Sequence, residues 1–320
     1  QIFQKAGVEI LYHTQVADVV TSDGRVDSVV VSNKAGLVAI QPKVVVDCTG
    51  DGDIAAWAGA ETETVGSLQP MSLHFRIAYL KPDFEMRKKC AAALERIHKD
   101  GKLDLYAGPY PATFSGRDVY FNATRFPGNN TNPNDWTNAE IQCRQDAWAM
   151  FEVWQEQLAE FKDAYFMTSG PVAGARESRR IVGDYVLTGD DVRGGHLHDD
   201  VVVLGAWRLD RHHPKQAGHH EIPWTPPYDI PYRTLLPRTI QNLLVAGRCY
   251  SATSEALASS RVTATAMGMG QAEGTAAGIS ISNGVEPREI AVTALQDRLI
   301  SGGAILETPE SDIKVGNPDW

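Results

Sequence analysis

Three groups of residues in the 320-residue chain have types and spacings that could do chemistry. Six of the nine histidines fall between His196 and His220, in HLHDD, RHHP and GHHE. HxH beside Asp199 and Asp200 is a donor set that could bind a divalent cation and activate water, the chemistry of a metal-dependent hydrolase. No HExxH pattern or fixed ligand spacing ties these histidines together, and no metal ligand is assigned. The cysteines, Cys48, Cys90, Cys143 and Cys249, lie too far apart for CxxC zinc or a local iron–sulfur run and read as small buried hydrophobes. The third group is VVVDCTGDGDIAAWAGA, residues 44–60: a buried strand, a Gly/Asp turn and the start of a helix. In a doubly wound α/β fold a nucleotide sits at such a step, because the helix start offers free N–H groups and a positive dipole end.

These residues need a scaffold, and composition bounds it. With 43% hydrophobic and 22% charged residues the chain is globular, with a core of ordinary size. A net charge of −10 argues against nucleic acid and anionic membrane as partners. No apolar run is long enough to span a bilayer. The compartment and oligomeric state stay open.

Residues 7–20 and 24–50 read as successive strands, VEILYHTQV and VDSVVVSN forming a meander and KVVVDCTG a buried strand. DIAAWAGA follows as a short helix with Asp51 or Asp53 as its cap. Strands are expected at 71–80 and 118–126, an amphipathic helix at 83–102 and a loop at 128–135. The helix at 137–161 carries Ile141, Ala147, Phe151, Trp154 and Leu158 as a core stripe. NLLVAGR, 242–248, is a short buried strand, and the Ala/Gly-rich 260–284 a helix ending at Asn283-Gly284.

Three blocks in order, VVVDCTGDGDIAAWAGA, GARESRRIVGDYVLTGDDV (174–192) and 228–278 with NLLVAGRCYSATSEALASSRVTATAMGMGQAEGTAAG, resemble FAD-dependent oxidoreductases with the glutathione-reductase-like flavin fold. The resemblance implies an α/β fold: a three-layer Rossmann-like core, incomplete because its N-terminal Gly-rich βαβ unit precedes Gln1, interrupted by an α+β substrate domain. The expected boundaries are 1–66 and 236–290 for the flavin domain, 67–235 for the insert and 291–320 for a C-terminal extension. GMGQAEG (268–274) does not replace the missing fingerprint, because its spacing is G-x-G-x-x-x-G and no buried strand precedes it.

By the same resemblance Val16, Thr49, Gly50, Asp51, Gly247, Arg248, Arg261, Gly270 and Gln271 would hold FAD. Asp51 reads equally as a helix cap, Val16 as a core strand residue, and Gly274 and Gly278 as packing glycines. Arg248 would meet the pyrophosphate, with Arg261 a second cation. Ser254 and Glu273 depart from the His and Ala that the family often shows. A D-x-H pattern, matched by Asp210 and His212, makes His212 the expected general base. Arg176, in RESRRIVGDY, belongs either to a salt-bridged helix-to-strand corner or to one that meets the flavin or an anionic substrate. The expected activity is two-electron transfer from a polar organic small molecule to FAD. The alternatives are an inactive fragment, one subunit of a split flavoprotein whose partner chain supplies the Gly-rich loop, and a hydrolase built on the His196–His220 cluster.

Overall fold

The computed structural model describes residues 1–80, 85–115, 117–218 and 222–308. Along the chain run α1 (Ile2–Lys5), β1 (Gln15–Ser22), β2 (Arg25–Asn33), β3 (Gly36–Ile40), β4 (Val45–Asp47), α2 (Asp53–Trp57), β5 (Thr62–Glu63) and β6 (His74–Ala78). Then come α3 (Met86–Lys99), β7 (Tyr106–Ser115), β8 (Asp118–Thr124), α4 (Pro133–Gln157), β9 (Tyr165–Ser169), β10 (Arg180–Ile181) and α5 (Gly189–Gly194). The last part holds β11 (Val201–Gly205), β12 (Tyr228–Pro231), β13 (Leu243–Val245), α6 (Ser254–Ser260), α7 (Thr263–Asn283) and α8 (Val292–Ser301). The fold is mixed α/β. One compact unit gathers Gln1–Thr64, Arg179–Trp207 and Thr225–Trp320; the other gathers Val65–Ser178 and Arg208–Trp224. This division is finer than a continuous 67–235 insert, since 179–207 and 225–235 go with the first unit.

In the first unit β1, β2 and β3 form an antiparallel meander. Its first hairpin turns at Asp23-Gly24, both with positive φ (48° and 73°), the pair of conformations a tight two-residue turn requires. The strand expected from Val8 starts only at Gln15; Val8 to Thr14 have no ladder partner, and a strand without one cannot form. Strands β4 and β13 pair in parallel, Val45 against Leu243 and Asp47 against Val245. Their continuous apolar runs bury with Val26, Val29, Val31 and Ile54 in one core. Helix α7 packs on β4, β13 and β11. Its packing glycine is Gly268, where a Cβ would stand 2.9 Å from Val203 Cγ1. Gly274 and Gly278 have nothing that close, so the packing role read for them in the sequence moves to Gly268. The helix stops at Gly284 (φ 67°), as the Asn-Gly pair implied.

The second unit is a four-stranded antiparallel sheet, order β7-β8-β6-β9. One face carries Phe75, Ile77, Val119, Phe121 and Ala123, packed with residues of α3 and α4. Trp154 is fully buried there and its indole N–H donates to Cys90 O at 3.2 Å. Helix α4 starts at Pro133 rather than 137, because Asn132 accepts the Asn134 N–H at 2.9 Å and proline suits a first helical position. The stripe is core at Ala147, Phe151 and Trp154, but Ile141 is 53% exposed.

Candidate active site

Strands β4 and β13 end side by side, and the loops leaving their carboxyl ends carry most of the candidate cofactor residues. Burial of Asp47 explains the first loop. Its carboxylate, with no solvent exposure, accepts the Thr49 N–H (3.0 Å) and hydroxyl (2.7 Å) through Oδ1 and the Ala55 N–H (2.9 Å) through Oδ2. Thr49 Oγ1 in turn accepts the Asp53 N–H at 2.9 Å. The helix start is thus satisfied by Asp47 and Thr49, not capped by Asp51 or Asp53 as the sequence implied; the N-cap position is Gly52, with φ 62°. Gly50 sits at φ 84°, and a Cβ there would lie 2.6 Å from Arg248 Nη1. Only glycine fits both the backbone and the guanidinium.

Arg248 Nη2 donates to Asp51 Oδ1 at 2.6 Å, while Arg179 donates to Asp51 O (3.0 Å) and Asp53 Oδ1 (2.7 Å). Burial, then the neighbouring Asp51 charge, pushes the Asp53 carboxyl up; Arg179 pulls the other way. Gly247, at φ 89° with open space around its α-carbon, completes the second loop. Arg248 Nε is buried and has no hydrogen-bond partner. That orphaned donor, the open glycine backbone and the parallel strand ends fit a phosphate or ribose group of FAD.

The remaining cofactor candidates are dispersed in the first unit. Val16 lies on β1 beside a bulge, half-buried, its side chain against the core of Val26 and Val29. Arg261 is the C-cap of α6, one residue before Val262, the N-cap of α7. Gly270 and Gln271 lie two turns inside α7, and Gln271 is exposed near Gly302. They are not at the helix terminus, where dipole and free N–H groups act. Nearby Glu273 is wholly buried, both oxygens lack partners, and burial pushes its carboxyl well above the usual range. Its departure from the alanine of relatives is legible in the sequence; its isolation is not.

The catalytic candidates lie in the second unit and converge on residues 69–72. His212 is 4% exposed; its N–H donates to Gln69 Oε1 at 3.1 Å. Arg125 Nη2 donates to His212 Nδ1 at 3.0 Å, so Nδ1 is an acceptor and Nε2 carries the proton, directed at Asp210 Oδ1 at 3.1 Å. Both ring nitrogens are therefore engaged, and the imidazole offers no lone pair to a substrate. Asp210 is the more exposed member, 22% against 4%. Arg176 Nη1 donates to Pro70 O (2.6 Å) and Ser72 Oγ (2.7 Å). Glu177 accepts the Gln69 N–H at 3.2 Å, and Arg180 donates to Ala252 O at 2.7 Å. The charges of RESRR thus go to separate partners, and no helix meets a strand there; sequence proximity of charges says nothing of the side each faces.

The histidine cluster separates too. His196 Nδ1 pairs with Asp191 Oδ1 at 2.7 Å and His198 Nδ1 accepts from Arg233 at 3.1 Å. His219 and His220 lie outside the described residues. Among the described residues no group of three His, Cys, Asp or Glu side chains could hold a metal ion, and no helix is long and apolar enough to cross a membrane.

The carboxyl ends of parallel strands are where α/β proteins bind their ligands, and here they carry a glycine turn and an arginine. The chain belongs to the FAD dependent oxidoreductase family, which it matches over residues 1–299, and FAD is that family's cofactor. No curated protein matches the chain. Among solved structures it is similar to a flavin-dependent brominase triple mutant (13% identity, TM-score 0.43), covering 93% of this chain and 57% of that one. It is also similar to a geranylgeranyl bacteriochlorophyll reductase-like protein from Thermoplasma acidophilum (11%, 0.43, 94% and 56%). A third is p-nitrophenol 4-monooxygenase from Pseudomonas putida DLL-E4 (11%, 0.41, 93% and 54%). The chain spans little more than half the length of these proteins.

Proposed function

We propose that the protein takes part in FAD-dependent oxidation of a polar organic small molecule. The observation that carries this reading is the buried, unpartnered Arg248 Nε beside Gly50 and Gly247 at the ends of β4 and β13, in a chain of an FAD-dependent family. Bound there, FAD would supply a two-electron acceptor. Arg248 would hold its phosphate by charge-assisted hydrogen bonds, and the glycine backbone at 50 and 247 would admit the close approach. Asp47 and Thr49 would fix the loop in place.

In the second unit, Asp210 would accept the substrate proton. Its support is that His212 hands it an Nε2–H, while Arg125 holds the ring in that tautomer. His212 then positions the carboxylate rather than acting as the base itself. Arg176 would contribute positive charge toward the substrate.

The test is FAD retention. The protein is mixed with FAD, desalted and its visible spectrum recorded, for wild type and Arg248→Gln. Retained flavin in wild type with at least roughly ten-fold weaker binding in the variant, the size of one lost charged hydrogen bond, supports the reading. Flavin washed out of wild type, or held equally by both proteins, overturns it.

A further inference from the structure

The sheet of the second unit has a polar face that its core does not use. Residues on a strand alternate between faces, and those of β6 and β8 facing the core are Phe75, Ile77, Val119, Phe121 and Ala123. The opposite face is set by register: Tyr110, Asn122 and His74 form one cross-strand row, and Ala112, Tyr120, Arg76 and Thr168 the next. His74, Arg76, Tyr110, Tyr120 and Asn122 are all half-buried, neither packed away nor fully hydrated.

The face is cationic. Arg76 stands in the second row, and the guanidinium of Arg176 is clamped beside the first, against Pro70 O, Ser72 Oγ and, at 3.5 Å, Asn122 Oδ1. Burial and the Arg176 charge hold His74 below the usual imidazole range, so its ring stays neutral beside Tyr120, centroids 4.7 Å apart and edge-on. The acidic side chain of the same strand parity is Asp118, at the hairpin end of β8. Asp210 lies beyond the first row, where its charge acts on Tyr110. Guanidinium, phenol, amide and neutral imidazole on one half-dry surface match an anion with planar acceptor geometry.

We propose that this face binds the carboxylate of a small organic acid, with Arg76 as its ion-pair partner and Tyr120, Asn122 and His74 as neutral hydrogen-bonding groups. The proposal rests on the oxidoreductase reading for its meaning, since it names the class of molecule oxidised. Its test needs neither flavin nor turnover, so the two can fail separately.

Binding of succinate and benzoate, with succinamide and benzamide as uncharged counterparts, is measured by calorimetry on wild type, Arg76→Gln, Arg76→Lys and the distant surface variant Lys99→Gln. The expected result is that at least one acid binds and its amide does not. Arg76→Gln should weaken the acid roughly ten- to hundred-fold, Arg76→Lys should restore part of it, and Lys99→Gln should match wild type. The bound acid should also raise the His74 imidazole titration followed by NMR. Acids and amides binding alike, an unchanged affinity in Arg76→Gln, or no binding of either acid overturns the proposal. Acid binding in a protein that releases FAD would leave the carboxylate site standing and remove the oxidoreductase reading.

Discussion

Arg125 donates to His212 Nδ1 at 3.0 Å, and this bond requires Nδ1 to be the ring nitrogen without the proton. Guanidinium groups only donate, so Nδ1 must accept and the Nε2–H points to Asp210. Nitrogen NMR of His212 is expected to show Nε2 as the protonated position. In Arg125→Met the donor at Nδ1 is gone while Asp210 still accepts from Nε2, so Nε2 should keep its proton and the Nδ1 signal alone should shift. A wild-type ring protonated at Nδ1 contradicts the arrangement.

Asp146, buried on α4, carries a carboxyl pushed up to about 6, first by burial and then by the Asp104 charge, against the hydrogen bond from Gln142. Its folded pKa lies above the unfolded one, so the folded chain binds this proton more tightly. The ionised carboxyl then costs stability above about pH 6, and the cost fades as pH falls toward about 4. The full gap corresponds to at most about 3 kcal/mol. Asp146→Asn should stabilise by about 1–3 kcal/mol in urea unfolding near pH 7.5 and change little near pH 4. Equal effects at both values would rule out the charge as the cause.

At Gly205 an added Cβ would stand 2.3 Å from the ring of Tyr228, which is fully buried and hydrogen-bonded to Ser259 at 2.8 Å. Gly205→Ala must move the ring or bend β11. A loss of roughly 1–3 kcal/mol is expected, with Tyr228→Phe in the same background recovering little, because ring carbons as well as the hydroxyl stand in the way. A stable Gly205→Ala protein, by thermal melting, would be inconsistent with this packing.

Glu273 gives the opposite sign. A buried acid with no partner is a cost that a shape-matched apolar side chain removes. Glu273→Met should raise stability by about 1–3 kcal/mol at neutral pH. A loss instead would mean that the carboxyl has a role in the folded state that its surroundings do not display.

The strand–turn–helix at residues 45–57 was legible because a buried parallel strand reads as a continuous apolar run and Gly50 and Gly52 mark the turn. The cap was not. Asp47 reaches Ala55 N–H from within the strand, and propensity assigns caps to the residue adjoining the helix. Strand β11, VVVLG, escaped because it follows directly on the charged HLHDD run, and Ile141 misled because helical spacing alone does not give the width of the buried stripe. The Arg125–His212 bond joins residues 87 apart. The D-x-H pattern pointed to Asp210 and His212, but the third member, which reverses their roles, has no signal in sequence.

Among the described residues, β4 is hydrogen-bonded to β13 alone, in a sheet of two strands. Two-stranded sheets are weak by themselves. Val45 and Asp47 are buried nonetheless, so α2 and α7 packed on β4, and not a further strand, hold the pair in place.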